Sequence, residues 1–513
     1  MTEPQRRGRR CHPPAAAPAV LALLAAGCLH AGAPLELPPA PQAPWQAPTE
    51  LVPAPEPATP ETLEIPPQIL SGEVPVTLAQ VVSVALANSP RTRETWLAAR
   101  AAAAEVGKQK AAYWPSLDLT GELNRVKVAA VGGRFAFQQT TYGPTLDVSW
   151  LLFDFGGRSA DVEDAWQSLL AADFAHNAAL QEEVLQVEQA YYQYQTARAF
   201  RAAAAADLAG AEANLKAAEA RHDAGLATIA EVLQARTAMA RARLGLETFE
   251  GQMKATQGGL ATAMGLPTNV AVEVGELPAG LPLDRATAEV EEILQQAIEQ
   301  RPDLLAARAT AAAADAQAAS AGRDRLPSIE MRGSTDRTYY WNQGVDPADN
   351  YSLSLLLRYP LFNGFQRRWE LAEKRREAEA AHARTASLEQ LVALQVWTSY
   401  YDLQTAAQRV ETSRELLASA RQSADVAAGR YKAGVGSILD LLTAQSALAE
   451  ARAEEVAARA DWLLAAAQLA HDSGALGPPP AEAEGVAVPA DAAPSTTPAG
   501  SPSGAAGDEE TLR

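Results

Sequence analysis

Two pairs of segments in the chain alternate apolar and polar residues with a period of two, which predicts strands with one apolar face. The apolar positions of the first pair are Leu117, Leu119, Gly121 and Leu123, followed by Leu146, Val148 and Trp150. Those of the second pair are Ile329, Met331 and Gly333, followed by Tyr351, Leu353, Leu355 and Leu357. The pattern therefore predicts two β-hairpins, at about 115–153 and about 327–362.

Each predicted hairpin is followed by a long segment whose apolar residues are spaced by three and four, the period of a helix. In the second such segment the seam consists of Leu388, Val392, Val396, Tyr400, Leu403, Ala407 and Val410. The segments end near Gly225 and Gly434, and about 70 helical residues make a rod of roughly 105 Å. A shorter helix is predicted to return after each glycine. Rods of this length are incompatible with one compact globule.

The two halves of the chain repeat the same order of elements and several local motifs. Pro-Ser-Leu at 115–117 recurs as Pro-Ser-Ile at 327–329, and Arg-His-Asp-Ala-Gly at 221–225 recurs as Arg-Tyr-Lys-Ala-Gly at 430–434. This is a duplication of about 200 residues, which is too long for a solenoid repeat. The motifs predict a first repeat at 76–285 and a second at 286–474.

The chain ends differ in composition from the repeats. Four arginines and a short apolar stretch precede Cys28, and small residues lie directly before that cysteine. This pattern predicts a lipoprotein-type signal peptide at 1–27 with lipidation of Cys28, while an ordinary secretory signal with an incidental cysteine is the alternative. A Pro/Ala-rich tether is predicted at 28–75 and a disordered tail at 475–513.

Charge and side-chain chemistry exclude several classes of function. The 513 residues include 43 Lys and Arg against 62 Asp and Glu, a net charge of -19, which argues against nucleic-acid binding. The six histidines are scattered, and no metal-ligand spacing, phosphate loop or nucleophile motif is present. The sequence therefore predicts no enzyme, no cofactor and no metal site.

Aromatic residues cluster at the ends of the predicted strands. They are Tyr113, Trp114, Tyr142, Trp150 and Phe153, and then Tyr339, Tyr340, Trp341, Tyr359 and Phe362. Such clusters are typical of membrane-interface belts, although cross-strand pairs in an ordinary hairpin give the same pattern. Four strands are too few for a closed barrel, which needs about eight, and open edges are not tolerated in lipid. We therefore expect three chains to share a twelve-stranded barrel that continues as a helical tunnel.

Residues 77–90, 115–117, 152–156 and 430–445 resemble the TolC-like outer membrane factor (outer membrane efflux protein) family. The resemblance covers about 76–473 and both repeats. It implies a mainly α fold with β, internally duplicated, in which a long α-helical barrel joins a 12-stranded transmembrane β-barrel shared by a trimer. It also implies a place in the outer membrane of a Gram-negative bacterium. A periplasmic adaptor (membrane fusion) protein and an inner-membrane pump would be the partners.

The same resemblance implies a gate at the periplasmic ends of the helices. Asp440 matches an acid that forms a ring at the closed entrance, where three carboxylates on one axis would attract cations. Tyr431 matches a tyrosine that locks the closed state against an acid on the neighbouring hairpin, here Glu231. Two further gate positions of the family are occupied by Gly436 and Thr443, which lack the expected charges. The alternative is that both acids only stabilise helix starts.

The two helix reversals are the predicted contacts for the adaptor. The residues concerned are Gly225 and Leu226 in the first reversal, and Gly434, Val435 and Ser437 in the second. Glycine would also be needed for a plain reversal, so both explanations can hold together.

The predicted function is a passive outer-membrane duct for efflux or secretion, opened at its periplasmic end. The alternative is a periplasmic coiled-coil adaptor or structural protein, which fits the long helices but not the aromatic hairpins. The exported substrate and the class of pump stay open.

Overall fold

The computed structural model describes residues 40–43, 75–130, 135–278, 281, 283, 289–341 and 344–477. The first half contains α1 (Leu78–Asn88), α2 (Pro90–Ala111), β1 (Ser116–Ala130), β2 (Phe135–Phe153), α3 (Gly157–Asp223) and α4 (Ile229–Ala263). The second half repeats this order with α5 (Val290–Gln300), α6 (Pro302–Arg323), β3 (Ser328–Tyr340), β4 (Ala348–Arg358), α7 (Gln366–Lys432) and α8 (Ile438–Asp472). The signal peptide at 1–27, Cys28, and most of the predicted tether and tail lie outside the described residues.

The four strands form one antiparallel sheet in the order β1-β2-β3-β4. Leu117 lies opposite Val148, Val148 opposite Gly333, and Gly333 opposite Leu353, so the predicted apolar positions share one face. The β2–β3 ladder skips residues 143 and 144 and resumes where Thr145 pairs with Asp336. A proline in a central strand cannot donate a ladder hydrogen bond, and position 144 is proline.

Every strand continues directly from or into a long helix, so the helices keep the order of the strands. Nearest the sheet, α2 packs on α3, α3 on α6, and α6 on α7. Toward the other end, α4 packs on α3, α3 on α8, and α8 on α7. The helices α3 and α7 each have 67 residues, and the return helices α4 and α8 each have 35, close to the predicted lengths.

The largest hydrophobic core lies at the middle of these rods. There α1, the centre of α3, the end of α4 and the segment around Val272 pack together, with Val81, Leu180 and Leu260 fully buried. A parallel bridge joins Val76 to Val274 at its edge. This core anchors the middle of the rods and leaves the helix reversals of both repeats at the far end from the sheet. None of the described helices combines the length and the apolar composition needed to cross a lipid bilayer.

Candidate gate at the helix tips

The two reversals, which we call tip 1 (α3 to α4) and tip 2 (α7 to α8), have the same backbone plan. In tip 1 the amide of Leu226 donates to the carbonyl of Arg221 at 2.8 Å, and Gly225 donates to His222 at 2.8 Å. In tip 2 the corresponding bonds are Val435 to Arg430 at 3.0 Å and Gly434 to Tyr431 at 3.1 Å. The pattern is a Schellman ending, which requires a left-handed residue. Gly225 and Gly434 supply it with φ of 72° and 76°.

Both predicted gate acids are part of a capping box that starts the returning helix. Glu231 and Thr228 exchange hydrogen bonds in tip 1, where the amide of Thr228 donates to Oε1 of Glu231 at 3.2 Å. In tip 2 the amide of Asp440 donates to Oγ of Ser437 at 3.0 Å, and the Ser437 amide donates back to Asp440. Each acid therefore stabilises its own helix start. Asp440 is exposed and Glu231 is half-buried. The Asp440 carboxylate can therefore accept further hydrogen bonds from outside the single chain.

Tyr431 is buried in tip 2, with 2% of its surface exposed. It packs against Ile438 and Leu441, and its hydroxyl has no hydrogen-bond partner among the described residues. Burial raises the pKa of the Tyr431 phenol, and the negative charge of Glu231 adds to the rise. Glu231 therefore lies within electrostatic reach of Tyr431 without a hydrogen bond between the two among the described contacts.

The group that touches Tyr431 from the other hairpin is Arg221, which the sequence analysis did not identify. Its guanidinium carbon lies 4.8 Å from the Tyr431 ring centre, and its Nη1 donates to the Tyr431 carbonyl at 3.2 Å. The contact joins α3 to α7 and combines a cation–π interaction with a hydrogen bond. Arg221 and Arg430 occupy the same position in the two halves. Aligning the repeats could therefore have identified Arg221 as a candidate.

The hairpins are linked again above the tips. Asn214 on α3 donates to Gln445 on α8, and Asp207 forms an ion pair with Arg452. Both contacts connect the first repeat to the second. Together with Arg221 and Tyr431 they form a line of polar contacts that ends at tip 2.

Gly436 and Thr443 occupy the two positions at which the sequence analysis expected charged residues, and the structure gives a reason for one of them. A Cβ added to Gly436 would lie 3.0 Å from Cβ of Arg430 and 3.1 Å from the amide nitrogen of Tyr431. The Gly436 amide also donates to the Arg430 carbonyl at 3.1 Å. A side chain at 436 would therefore push against the end of α7. Thr443 is exposed one turn beyond Asp440, and nothing in the structure explains its choice.

Apolar side chains are exposed at the ends of both hairpins. Leu226 is 70% exposed in tip 1, and Val435 is 69% exposed in tip 2. Ile229 and Leu439, at the starts of α4 and α8, are also exposed. Predicted contact residues Gly225, Leu226, Gly434, Val435 and Ser437 are thus all accessible in the single chain.

Comparisons with known proteins agree on one family. The family model described as outer membrane efflux protein matches residues 81–266 and 293–475, one match for each repeat. Protein CyaE of Bordetella pertussis is 32% identical over 415 residues, which cover 79% of this chain and 86% of that protein. The pyoverdine export outer membrane protein OpmQ of Pseudomonas aeruginosa is 26% identical over 381 residues, 69% of this chain and 76% of OpmQ. The crystal structure of VceC from Vibrio cholerae has a similar fold, with a TM-score of 0.69 and 21% identity, and covers 77% of this chain and 96% of VceC.

Proposed function

The chain belongs to the outer membrane efflux protein family and is a duct of the outer membrane for efflux or secretion, and we propose that three copies form one passage. The observation that carries this proposal is the open sheet. Among the described strands, β1 and β4 are each paired on one side only. Unpaired edges are not stable in lipid, so a neighbouring copy must cover each of them.

The helices support the same assembly because they too have two open sides. α7 lies at the end of the helix order and exposes Trp369, Leu394, Trp397 and Leu416 along its length. Large apolar side chains exposed in a row along a rod are typical of a subunit interface. We infer that α7 of one copy packs against α2 and α4 of the next. Twelve strands and a continuous helical wall would result, and the copy number of three is the one that the family resemblance implies.

Tip 2 is the part of the chain that we assign to the closed entrance. Three copies of Asp440 around one axis would repel anions and attract cations. Tyr431 and Glu231 would hold the closed state by fixing the position of α7 and α8 against the first hairpin. Arg221 joins them in this proposal, because it makes the direct contact across the hairpins.

The exposed ends of the hairpins are the surface that we assign to the periplasmic adaptor, which would in turn join an inner-membrane pump. Leu226 and Val435 protrude from neighbouring tips and offer apolar anchors. Apolar anchors framed by polar groups are the usual energetic centre of a protein interface. Gly225, Gly434 and Ser437 shape the turns that present these anchors.

At the other end of the chain, Cys28 is proposed as a site of lipidation after removal of residues 1–27. Small residues before this cysteine and the arginines of the n-region support the proposal. A Cys28→Ser variant should lose all label when cells are grown with a radioactive fatty acid. Label retained by that variant would refute acylation at Cys28.

Outer-membrane fractionation, followed by the mass of the detergent-solubilised protein, tests the proposed duct. A trimer in the outer-membrane fraction that dissociates on heating is the expected result, because the shared barrel must break before the chains separate. A soluble monomer, or protein in the inner-membrane fraction, would contradict the proposal and would favour the adaptor alternative.

A further inference from the structure

The two faces of the sheet differ sharply in charge. The ladder register places the predicted apolar residues on one face, which in the proposed barrel faces lipid. The opposite face carries Asp118, Glu122, Asp147, Glu330 and Asp336 with Arg332 and Arg358. Asp118 lies directly opposite Asp147, so like charges meet across the strands of the inner face. Anions are therefore disfavoured along the inner face of the sheet, which turns attention to the cations of the outer face.

The apolar band on the outer face has a clear upper edge. Tyr142 stacks on Tyr339 with ring centres 5.3 Å apart, and Trp341 meets Tyr142 edge-on at 6.0 Å. Phe153 and Phe155 lie together at the lower end of β2. From Tyr142 to Phe153 the strand rises about 37 Å, which a tilt of about 40° reduces to roughly 28 Å along the membrane normal. The aromatic cluster thus lies at the height of the lipid headgroups.

Two cations follow directly beyond this edge on the same outer face. Leu123 lies opposite Tyr142, Arg125 opposite Thr140, and Lys127 opposite Gln138. Arg125 is two residues beyond Leu123, a rise of about 7 Å along the strand. Both cations are exposed, and in the described part of the chain neither forms an ion pair with a carboxylate. Arg337, the nearby outward cation on β3, differs because it pairs with Asp349 at 3.6 Å.

The side chain that contacts Arg125 is the neutral amide of Gln138 and not a carboxylate. The side-chain amide of Gln138 is assigned the orientation in which its oxygen faces Arg125. This oxygen accepts a hydrogen bond from Nε of Arg125 at 2.8 Å. The amide helps to hold the guanidinium on the outer face and leaves its charge uncompensated. Arginine binds phosphate through a planar pair of donors, and lysine adds a point charge.

We propose that Arg125 and Lys127 bind the phosphate groups of an anionic lipid in the outer leaflet of the membrane. The proposal rests on the proposed barrel, which defines the outer face and its orientation. Leu123 would contact the acyl chains, Tyr142 and Trp341 the interface, and the two cations the phosphate. This order of apolar, aromatic and cationic groups along one face matches the layers of a phosphorylated lipid. A free phosphate ion would use the cations alone.

Three additives can be compared on the purified trimer in a nonionic detergent. They are bis-phosphorylated lipid A, dephosphorylated lipid A with the same acyl chains, and inorganic phosphate. The measured quantity is the temperature at which the trimer dissociates. We expect only the phosphorylated lipid to raise it, by about 2–5 °C at saturating lipid. The Arg125→Gln/Lys127→Gln double variant should lose most of this rise. Arg358→Gln, which removes a cation from the inner face, should keep it.

Several results would overturn the proposal. An equal rise with dephosphorylated lipid would show that acyl contacts suffice, and a rise with inorganic phosphate would show a small-anion site. A full rise in the double variant would place the lipid elsewhere. In each case a trimer still present in the outer membrane would leave the proposed duct intact. A wild-type protein that is not a trimer would overturn the duct and the lipid site together.

Discussion

The two tips share a backbone and differ in their side chains. Tyr431 of tip 2 corresponds to His222 of tip 1. The tyrosine is buried, whereas the histidine is exposed and, among the described residues, forms a hydrogen bond with the Ala227 carbonyl of its own turn at 3.0 Å. Gly436 corresponds to Ala227, and the glycine alone lets the turn lie close against the end of its helix. The duplication thus kept the Schellman ending and the capping box in both halves. The contact between the hairpins joins Arg221 of tip 1 to Tyr431 of tip 2, and the buried ring that receives the arginine belongs to tip 2.

The difference between the tips distinguishes the residues that form a helix reversal from those that could also form a gate. A helix reversal needs only a left-handed glycine and a capped restart, and both tips have them. A gate needs in addition a contact between hairpins that can be made and broken. In the described structure Arg221 of tip 1 supplies the cation, and Tyr431 of tip 2 supplies the ring and carbonyl. Substitutions at matched positions of the two tips should therefore have unequal effects.

The largest difference is expected for removal of the buried ring. Tyr431→Ala should lower the stability of tip 2 by about 3–5 kcal/mol, because it leaves a cavity beside Ile438 and Leu441. His222→Ala should cost about 0.5 kcal/mol or less, because His222 is exposed. Limited proteolysis at the tips of the two variants measures the difference. Equal protection of both variants would mean that the ring does not hold the tip.

The tight turn of tip 2 should give the next largest effect. Gly436→Ala should destabilise by about 1–3 kcal/mol, because its Cβ would press on Arg430 and on the Tyr431 backbone. The reverse change in tip 1, Ala227→Gly, should cost only about 0.4–1 kcal/mol through the freer unfolded chain. Hydrogen exchange of the Val435 and Leu226 amides reports each turn separately. Slower or unchanged exchange in Gly436→Ala would contradict the steric argument.

A smaller effect of opposite sign is expected for the hydroxyl of Tyr431. This hydroxyl is buried and has no hydrogen-bond partner among the described residues, so Tyr431→Phe should stabilise tip 2 by up to about 1 kcal/mol. A loss of stability in Tyr431→Phe would show instead that the assembled trimer supplies a partner for the hydroxyl.

The same phenol gives tip 2 a dependence on alkaline pH. Its raised pKa means that the folded tip holds the proton more tightly than the unfolded chain does. The resulting stability is fully present below a pH of about 10 and is lost as the pH rises through the raised pKa. Tyr431→Phe should abolish this alkaline loss, which heating curves between neutral and alkaline pH can measure. An identical loss in the variant would assign the effect to other groups.

The smallest effect on stability is expected at the two capping acids. Asp440→Asn keeps an acceptor for the cap and should cost only a few tenths of a kcal/mol, as should Glu231→Gln. Their effects on conduction should differ, because Asp440 is exposed and Glu231 is half-buried. The ratio of cation to anion permeability in planar bilayers should fall by about two- to tenfold in Asp440→Asn and less in Glu231→Gln. Unchanged selectivity in Asp440→Asn would remove Asp440 from the gate.

The periodicity of apolar residues predicted the helices and strands. It could not predict contacts between segments that are distant in the sequence. The seam from Leu388 to Val410 identified α7 because a helical period persists over many turns. Glu231 and Asp440 could be identified as helix-start acids from their spacing to Thr228 and Ser437. Arg221 was missed because its partner is 210 residues away, and no local pattern records which arginine of the repeat crosses to the other hairpin.

The alternation that places Arg125 and Lys127 on the outer face was also visible in the sequence. Their height relative to the apolar band became clear only from the pairing register of the strands. Arg125 and Lys127 continue the outward series of Leu117 to Leu123, and the pairing of Leu123 with Tyr142 shows where the apolar band ends. Without the cross-strand partners, the height of the two cations relative to the aromatic cluster could not be assigned.

The resting conductance of single channels in planar bilayers, compared between Arg221→Gln and Arg430→Gln, tests the central claim most directly. The two arginines occupy the same position in the two repeats. Among the described contacts, Arg221 reaches the other hairpin and Arg430 does not, and Arg430 is exposed. The account predicts that the resting conductance rises in Arg221→Gln and stays at the wild-type value in Arg430→Gln. An equal rise in both variants, or no rise in Arg221→Gln, would contradict a gate held by the contact between Arg221 and Tyr431.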